Sequence, residues 1–120
     1  VAPIVRVADY VDARLATLAI TDELTAAVNI GVFNENIHAY SGVVADKTVA
    51  GDNNVASMAL TTKDPNAVVV VKNGTNVVAA ANNAYALTLA AGANVITITS
   101  TVDSIEQEAY VIVLTYTPIV

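Results

Sequence analysis

Val68-Val69-Val70-Val71-Lys72-Asn73-Gly74-Thr75-Asn76-Val77-Val78 decides the fold, because it sets two β-branched runs on either side of Asn73-Gly74. A type I′ turn needs positive φ at both central residues, and Asn-Gly adopts that backbone cheaply, so Asn73 and Gly74 predict a two-residue hairpin. Outward from it, the 120-residue chain continues in short segments rich in Val, Ile, Thr and Tyr. Strands are expected near Leu18 to Ile20, Leu24 to Ile30, Ile37 to Ala45, Val55 to Thr61, Ala67 to Lys72, Thr75 to Ala81, Tyr85 to Leu89, Asn94 to Ser100 and Ala109 to Tyr116. Turn formers separate them, including Thr21-Asp22, Gly31, Gly51-Asp52-Asn53-Asn54, Asp64-Pro65-Asn66, Asn82-Asn83, Gly92 and Asp103-Ser104. Strands at that spacing without long intervening helices predict an all-β fold, an antiparallel sandwich of a single domain over 15–120.

Residues 1–14 form an N-terminal extension with two open readings. Val7, Val11, Leu15 and Leu18 follow helical spacing with Asp9 as a cap, whereas Ile4 to Val7 reads as an extended piece after Pro3. A chain that starts at Val1 without methionine raises the expectation of a processed subunit whose ends are ordered because they pack against something.

Hydrophobic residues make up 55% of the chain and charged ones 13%, against about 25% charged in ordinary soluble domains, so a sandwich of this size is expected to hide part of its surface against partners. The last strand carries Tyr110, Ile112, Leu114 and Tyr116 on one face and Val111, Val113 and Thr115 on the other, and Val68 to Val71 is similarly two-sided. Such strands lie under a second layer or present one face to a neighbouring subunit. The net charge of −6 argues against a nucleic-acid partner, since phosphate neutralisation needs a basic face. Asp, Asn, Lys or Thr breaks every apolar run before the roughly 18 residues needed to span a bilayer. Without cysteine there is no disulfide, thiol nucleophile or sulfur metal site.

Calcium is the candidate cofactor, because hard cations take several oxygen ligands and acidic loops supply them. The candidate ligands are Asp52 and Asn54, beside Asn53, and Asp103 and Glu106, near Glu108, with Asp22-Glu23 as a third cluster. His38 is the only histidine, so a Ser-His-carboxylate set would need Ser41 and Glu35 to converge on it, and an enzyme is not expected. Asn73-Gly74-Thr75 is a formal glycosylation sequon that the turn already explains. Tyr10, Tyr40, Tyr85, Tyr110 and Tyr116 are candidates for a glycan-stacking platform, or for packing with their hydroxyls reaching water.

The chain resembles the bacterial cadherin-like, Ig-like β-sandwich family over about Leu15 to Tyr116. The matching residues are Leu15-Ala16-Thr17-Leu18, Phe33 with Tyr40, Val69 to Thr75, Leu89-Ala90-Ala91-Gly92-Ala93-Asn94-Val95-Ile96-Thr97-Ile98, and Tyr110 to Leu114. Gly31-Val32-Phe33 stands where the family has a Gly-Leu-Pro-Phe-like run, and Asp103-Ser104-Ile105-Glu106 where it has an Asp-Gly turn. The resemblance implies an extracellular spacer, adhesive or binding module and no shared catalytic residues.

Together these features predict a self-assembling extracellular structural subunit of a filament, pilus or surface layer, whose partners are other copies of itself. An open sheet edge must pair its free N–H and C=O groups, and Pro3, Ile4, Val5 and Val7 are the expected donor strand. The alternatives are a carbohydrate-binding or adhesive module of a larger secreted protein, and a viral capsid or tail decoration protein.

Overall fold

A computed structural model describes residues 12–119 apart from 83, 104 and 105, and of residue 106 the backbone alone. The donor residues Pro3, Ile4, Val5 and Val7 lie outside the described residues. Among the described residues nine strands follow one another: β1 Leu15–Asp22, β2 Ala39–Ala45, β3 Val55–Thr62, β4 Val68–Asn73, β5 Asn76–Val78, β6 Ala80–Ala81, β7 Ala84–Thr88, β8 Gly92–Val102 and β9 Glu106–Thr117. They form a four-stranded sheet ordered β1-β3-β7-β6 and a five-stranded sheet ordered β2-β9-β8-β4-β5. The chain is therefore all-β, a two-sheet sandwich, and no helix occurs among the described residues.

Alternation builds the core. Ile96 and Ile98 on β8 and Tyr110, Ile112 and Leu114 on β9 are fully buried and meet Leu15, Ala56, Met58 and Leu87 of the other sheet. Each large side chain of this set contributes about 1.5–3 kcal/mol by leaving water. The long antiparallel β8–β9 pair runs without a register shift from Gly92↔Tyr116 to Val102↔Glu106 and forms the spine of the larger sheet.

Three local findings refine the sequence reading. Antiparallel pairing is not universal, since β2 runs parallel to β9 from Ala39↔Val111 to Ala45↔Thr117. The long 46–105 excursion between these strands supplies the crossover that a parallel pair requires. The hairpin forms one residue later than the Asn73-Gly74 turn: Asn73 pairs with Asn76, so Gly74 and Thr75 are the central residues. Gly74 takes φ 62 and Thr75 is not among the positive-φ residues, which is the requirement of a II′ turn and not of I′. Asn73 stays in the strand because its side chain donates 2.8 Å to the Thr88 carbonyl of the opposite sheet.

The third difference is at Leu24 to Ile30, which is not a strand. Only an isolated bridge joins Thr21 to Ala27, and the Val28 amide donates 2.8 Å to the Ile20 carbonyl. Thr25 sits at φ 67 in a turn held by the Asp22 carboxylate, which accepts from the Ala26 amide at 2.9 Å. Beyond it Val28, Ile30 and Phe33 pack on the core and close the side of the sandwich between β1 and β2. Gly42 of β2 makes room: a Cβ there would stand 3.0 Å from the Asn29 carbonyl oxygen and 3.0 Å from Ile30 Cγ2. The opposite side is closed differently, by residues 76–81 passing from the larger sheet as β5 to the smaller as β6.

Candidate functional site

The acidic loop at residues 46–54 is the most densely bonded part of the surface, and its carboxylates face amide donors. Asp52 Oδ1 accepts from the Lys47 amide at 2.8 Å, and Oδ2 accepts from the Thr48 amide and hydroxyl, each at 2.8 Å. Those bonds, the Lys47 and Thr48 amides foremost, hold the Asp52 carboxyl far below the usual carboxylate range. Asp46 lies deeper. Its Oδ1 accepts from Tyr116 Oη at 2.6 Å and the Asn53 amide at 3.0 Å, and its Oδ2 from the Gly51 amide at 2.7 Å and the Ile119 amide at 3.0 Å. Burial works to raise its pKa, but the bonds from Tyr116, Gly51, Ile119 and Asn53 together outweigh it and hold Asp46 below its ordinary value. The same bond to Asp46, with burial, pushes the Tyr116 hydroxyl up to about 12.

Asn53, 1% exposed, links this knot to β1. Its Nδ2 donates to Asp22 Oδ2 at 3.1 Å and to the Ala45 carbonyl at 2.9 Å, while its Oδ1 accepts from the Glu23 amide at 2.9 Å. Lys47 Nζ completes the set 3.4 Å from Asp22 Oδ2. The arrangement fastens the loop, the end of β1 and the end of β9 to one another. For Asp52 as a calcium ligand this geometry means that a cation would have to displace amide donors. Asn54 contributes its carbonyl to the Leu89 amide at 2.8 Å.

Asp103 and Glu106 flank the β8–β9 turn, at the other end of β9 from this loop. From Glu106 to Thr117 β9 runs for twelve residues, ends included, about 36 Å of strand, so the two candidate clusters are not one site. Among the described residues no group of three or more His, Cys, Asp or Glu comes close enough to hold a metal ion.

His38 is brought to Glu108, 3.0 Å from Nε2 to Oε1, and stacks on the Tyr110 ring at 4.6 Å. Glu35 instead pairs with Lys63 and with Arg14, at 3.5 Å from the latter, and Ser41 lies on β2 facing away from the core. Ser41, His38 and Glu35 thus do not converge. Arg14 also donates to Asp12 at 2.8 Å and to Asn36 at 2.8 Å, which anchors the start of β1 beside a shallow depression of about 450 Å³ lined by Ala16, Phe33, Asn34, Glu35, Asn36 and Lys63.

The tyrosines are not gathered into a platform. Tyr40, Tyr110 and Tyr116 are buried, and their hydroxyls bond to protein: Tyr40 donates to the Asn34 carbonyl at 2.7 Å and Tyr110 to the Glu35 carbonyl at 2.9 Å. They pin loops to the core, where the sequence reading had them reaching water. Tyr85 is half-buried and Tyr10 lies outside the described residues.

What faces outward is distinctive by its lack of charge. On the larger sheet the outer rows are Val43–Thr115–Ala93, Ser41–Val113–Val95, Ala39–Val111–Thr97–Lys72–Val77, Ala109–Thr99–Val70 and Gln107–Thr101–Val68. On the smaller sheet they are Thr17–Thr61, Ala19–Ala59, Thr21–Ser57–Ala86 and Val55–Thr88. Lys72 is the one charged residue in these rows, and the described carboxylates lie in the loops or on the core-facing side near strand ends. Sequence reading missed Asp46, which no spacing distinguishes from an ordinary turn residue, and took Asn53 as part of a calcium-binding loop where it instead ties that loop to β1, whereas the two-sided valine strands did signal the uncharged face. Neither a known family model nor a curated protein matches this chain.

Proposed function

We propose that this protein is a self-assembling structural subunit of an extracellular filament, pilus or surface layer, with other copies of itself as partners. One observation carries the reading: among the described residues the outer rows of both sheets are built of Val, Thr, Ala and Ser, with Gln107 and with Lys72 as their single charge. Val43, Val68, Val77 and Val95 are 65%, 64%, 67% and 46% exposed on one of them. Like-charged copies of net charge −6 repel least where no carboxylate is presented, so these faces are where copies approach. The resemblance to cadherin-like modules supports an extracellular placement, and sheet edges that must be paired or covered support joining by strand complementation.

Electron microscopy and sedimentation velocity on the purified chain, with and without chelator, test the proposal. Ordered filaments or sheets are expected, and their loss in chelator would assign calcium to the contact between copies. Isolated particles of 12.3 kDa at every concentration would overturn it in favour of a glycan-binding or adhesive module.

A further inference from the structure

The outer edge of β2 has a defined set of free backbone groups. His38 accepts from the Val111 amide at 2.8 Å and the Asp46 amide donates to Thr117 at 3.1 Å, so the even-numbered residues of this stretch face β9. In a parallel ladder the alternate residues then point the other way. The outward carbonyl of Ala45 is satisfied, accepting from Asn53 Nδ2 at 2.9 Å. Ala39, Ser41 and Val43 turn their N–H and C=O groups outward, and among the described residues nothing bonds to them. A depression of about 410 Å³ runs along this edge, lined by Asn29, Ser41, Gly42, Val43 and Thr115, without a charged group.

We propose that this edge is the acceptor for an extended segment of a neighbouring copy, namely its residues Val1–Val11. The inference rests on the assembly reading above and gives it a site. The segment is long enough: eleven residues span about 36 Å extended, against about 23 Å for the seven of β2. It has the chemistry that an uncharged groove takes, with Val5 and Val7 on one side of an extended chain and Ile4 on the other. The outward amides of Ser41 and Val43 and the facing carbonyls supply main-chain bonds, and Val43 and Thr115 provide the wall against which β-branched side chains lie.

The chain has no cysteine, so disulfide trapping on the full-length protein reads this contact cleanly. Variants with cysteine at Ile4, Val5 or Val7 are mixed with Val43→Cys, or with Val77→Cys, a similarly exposed residue on β5 at the opposite edge of the same sheet. Under mild oxidation at least one donor position is expected to give covalent dimers with Val43→Cys roughly fivefold or more above Val77→Cys. Adding Ser41→Pro to the Val43→Cys partner removes an outward amide and no bond to β9, and is expected to lower the yield about fivefold with the circular dichroism unchanged. Equal trapping at both edges overturns the acceptor assignment, and if the cysteine-free parent still polymerises the assembly reading survives it. Trapping within a single chain of a Val5→Cys, Val43→Cys double variant, with none in mixtures, overturns it too, because the occupant is then the molecule's own segment.

Discussion

Asp46 gathers four donors on one carboxylate: the Gly51 and Asn53 amides of its own loop, the Tyr116 hydroxyl of β9 and the Ile119 amide beyond it. Asp46→Asn keeps the shape but replaces one acceptor oxygen by an N–H₂ that faces donors, so two of these bonds become donor against donor. A fall in Tm on the order of 5–10 °C is expected, measured by thermal melting, and no change would mean that the knot is slack. Acid should act through the same groups. Asp12, Asp22, Asp46 and Asp52 all have folded pKa values below 3.8, so their stabilisation is complete above that value and is lost as pH falls through the lower folded values. Tyr116 works in the other direction. Its hydroxyl, at 10.0 when free and about 12 in the fold, adds stability that is complete below pH 10 and disappears as pH rises toward 12. Denaturant midpoints measured from pH 2 to 12 should therefore show a plateau from about 4 to 10 with losses on both sides. A steady rise down to pH 2 would contradict the acidic half of this account.

At the scale of elements, Gly42 and the 28–33 crossing decide whether the open side of the sandwich is closed. Gly42→Val puts branched atoms where Asn29, Ile30 and Val28 already stand 3.0, 3.0 and 3.2 Å from a bare Cβ. The crossing must move or β2 must bow, and the expected destabilisation is about 1–3 kcal/mol by chemical denaturation. Because Gly42 is not a positive-φ position, Gly42→Ala should cost less, and equal costs would point to backbone strain in place of crowding. The same crossing explains what could not be read in advance. Leu24 to Ile30 has the composition of a strand, and it fails to become one because Thr25 turns the chain and Val28 and Ile30 drop into the core at the side of the sheets. Strand propensity records what fits a half-buried pleat and is blind to which side of the molecule receives it. By contrast β8 and β9 were legible because alternation fixes both their existence and their faces, and Gly92 at φ 95 with Asn94 bonded to the Ala90 and Gly92 carbonyls realised the turn before Ile96. The candidate sites were less legible. Acidic residues in loops look alike in sequence whether they wait for a cation or, like Asp52, fold their own backbone around themselves.

At the scale of the whole molecule, the charges and the faces are segregated, and the two should respond oppositely to salt. Carboxylates at the ends and loops of a −6 chain repel, and that repulsion reaches about 30 Å at 0.01 M ionic strength but about 8 Å at 0.15 M. Burial of Val, Thr and Ala faces is not weakened by salt, so assembly should strengthen as ionic strength rises over this range. Val95 lies on β8 beside Val113 of β9 and is 46% exposed, in an uncharged row next to the one that ends in Lys72 and Val77. Val95→Glu places a carboxylate there that a monomer keeps in water, so its folding stability should change by no more than about 0.5 kcal/mol. In a face-to-face contact the same carboxylate is stripped of water, and its counterpart on the second copy carries the same sign, so assembly should weaken at least about tenfold by sedimentation. Val95→Thr, which keeps the branched shape without charge, should assemble nearly as the parent does. Assembly that dissolves as salt is raised would place the contact at the charged ends, and assembly that tolerates Val95→Glu unchanged would leave the valine face as ordinary surface and the contact at the sheet edge.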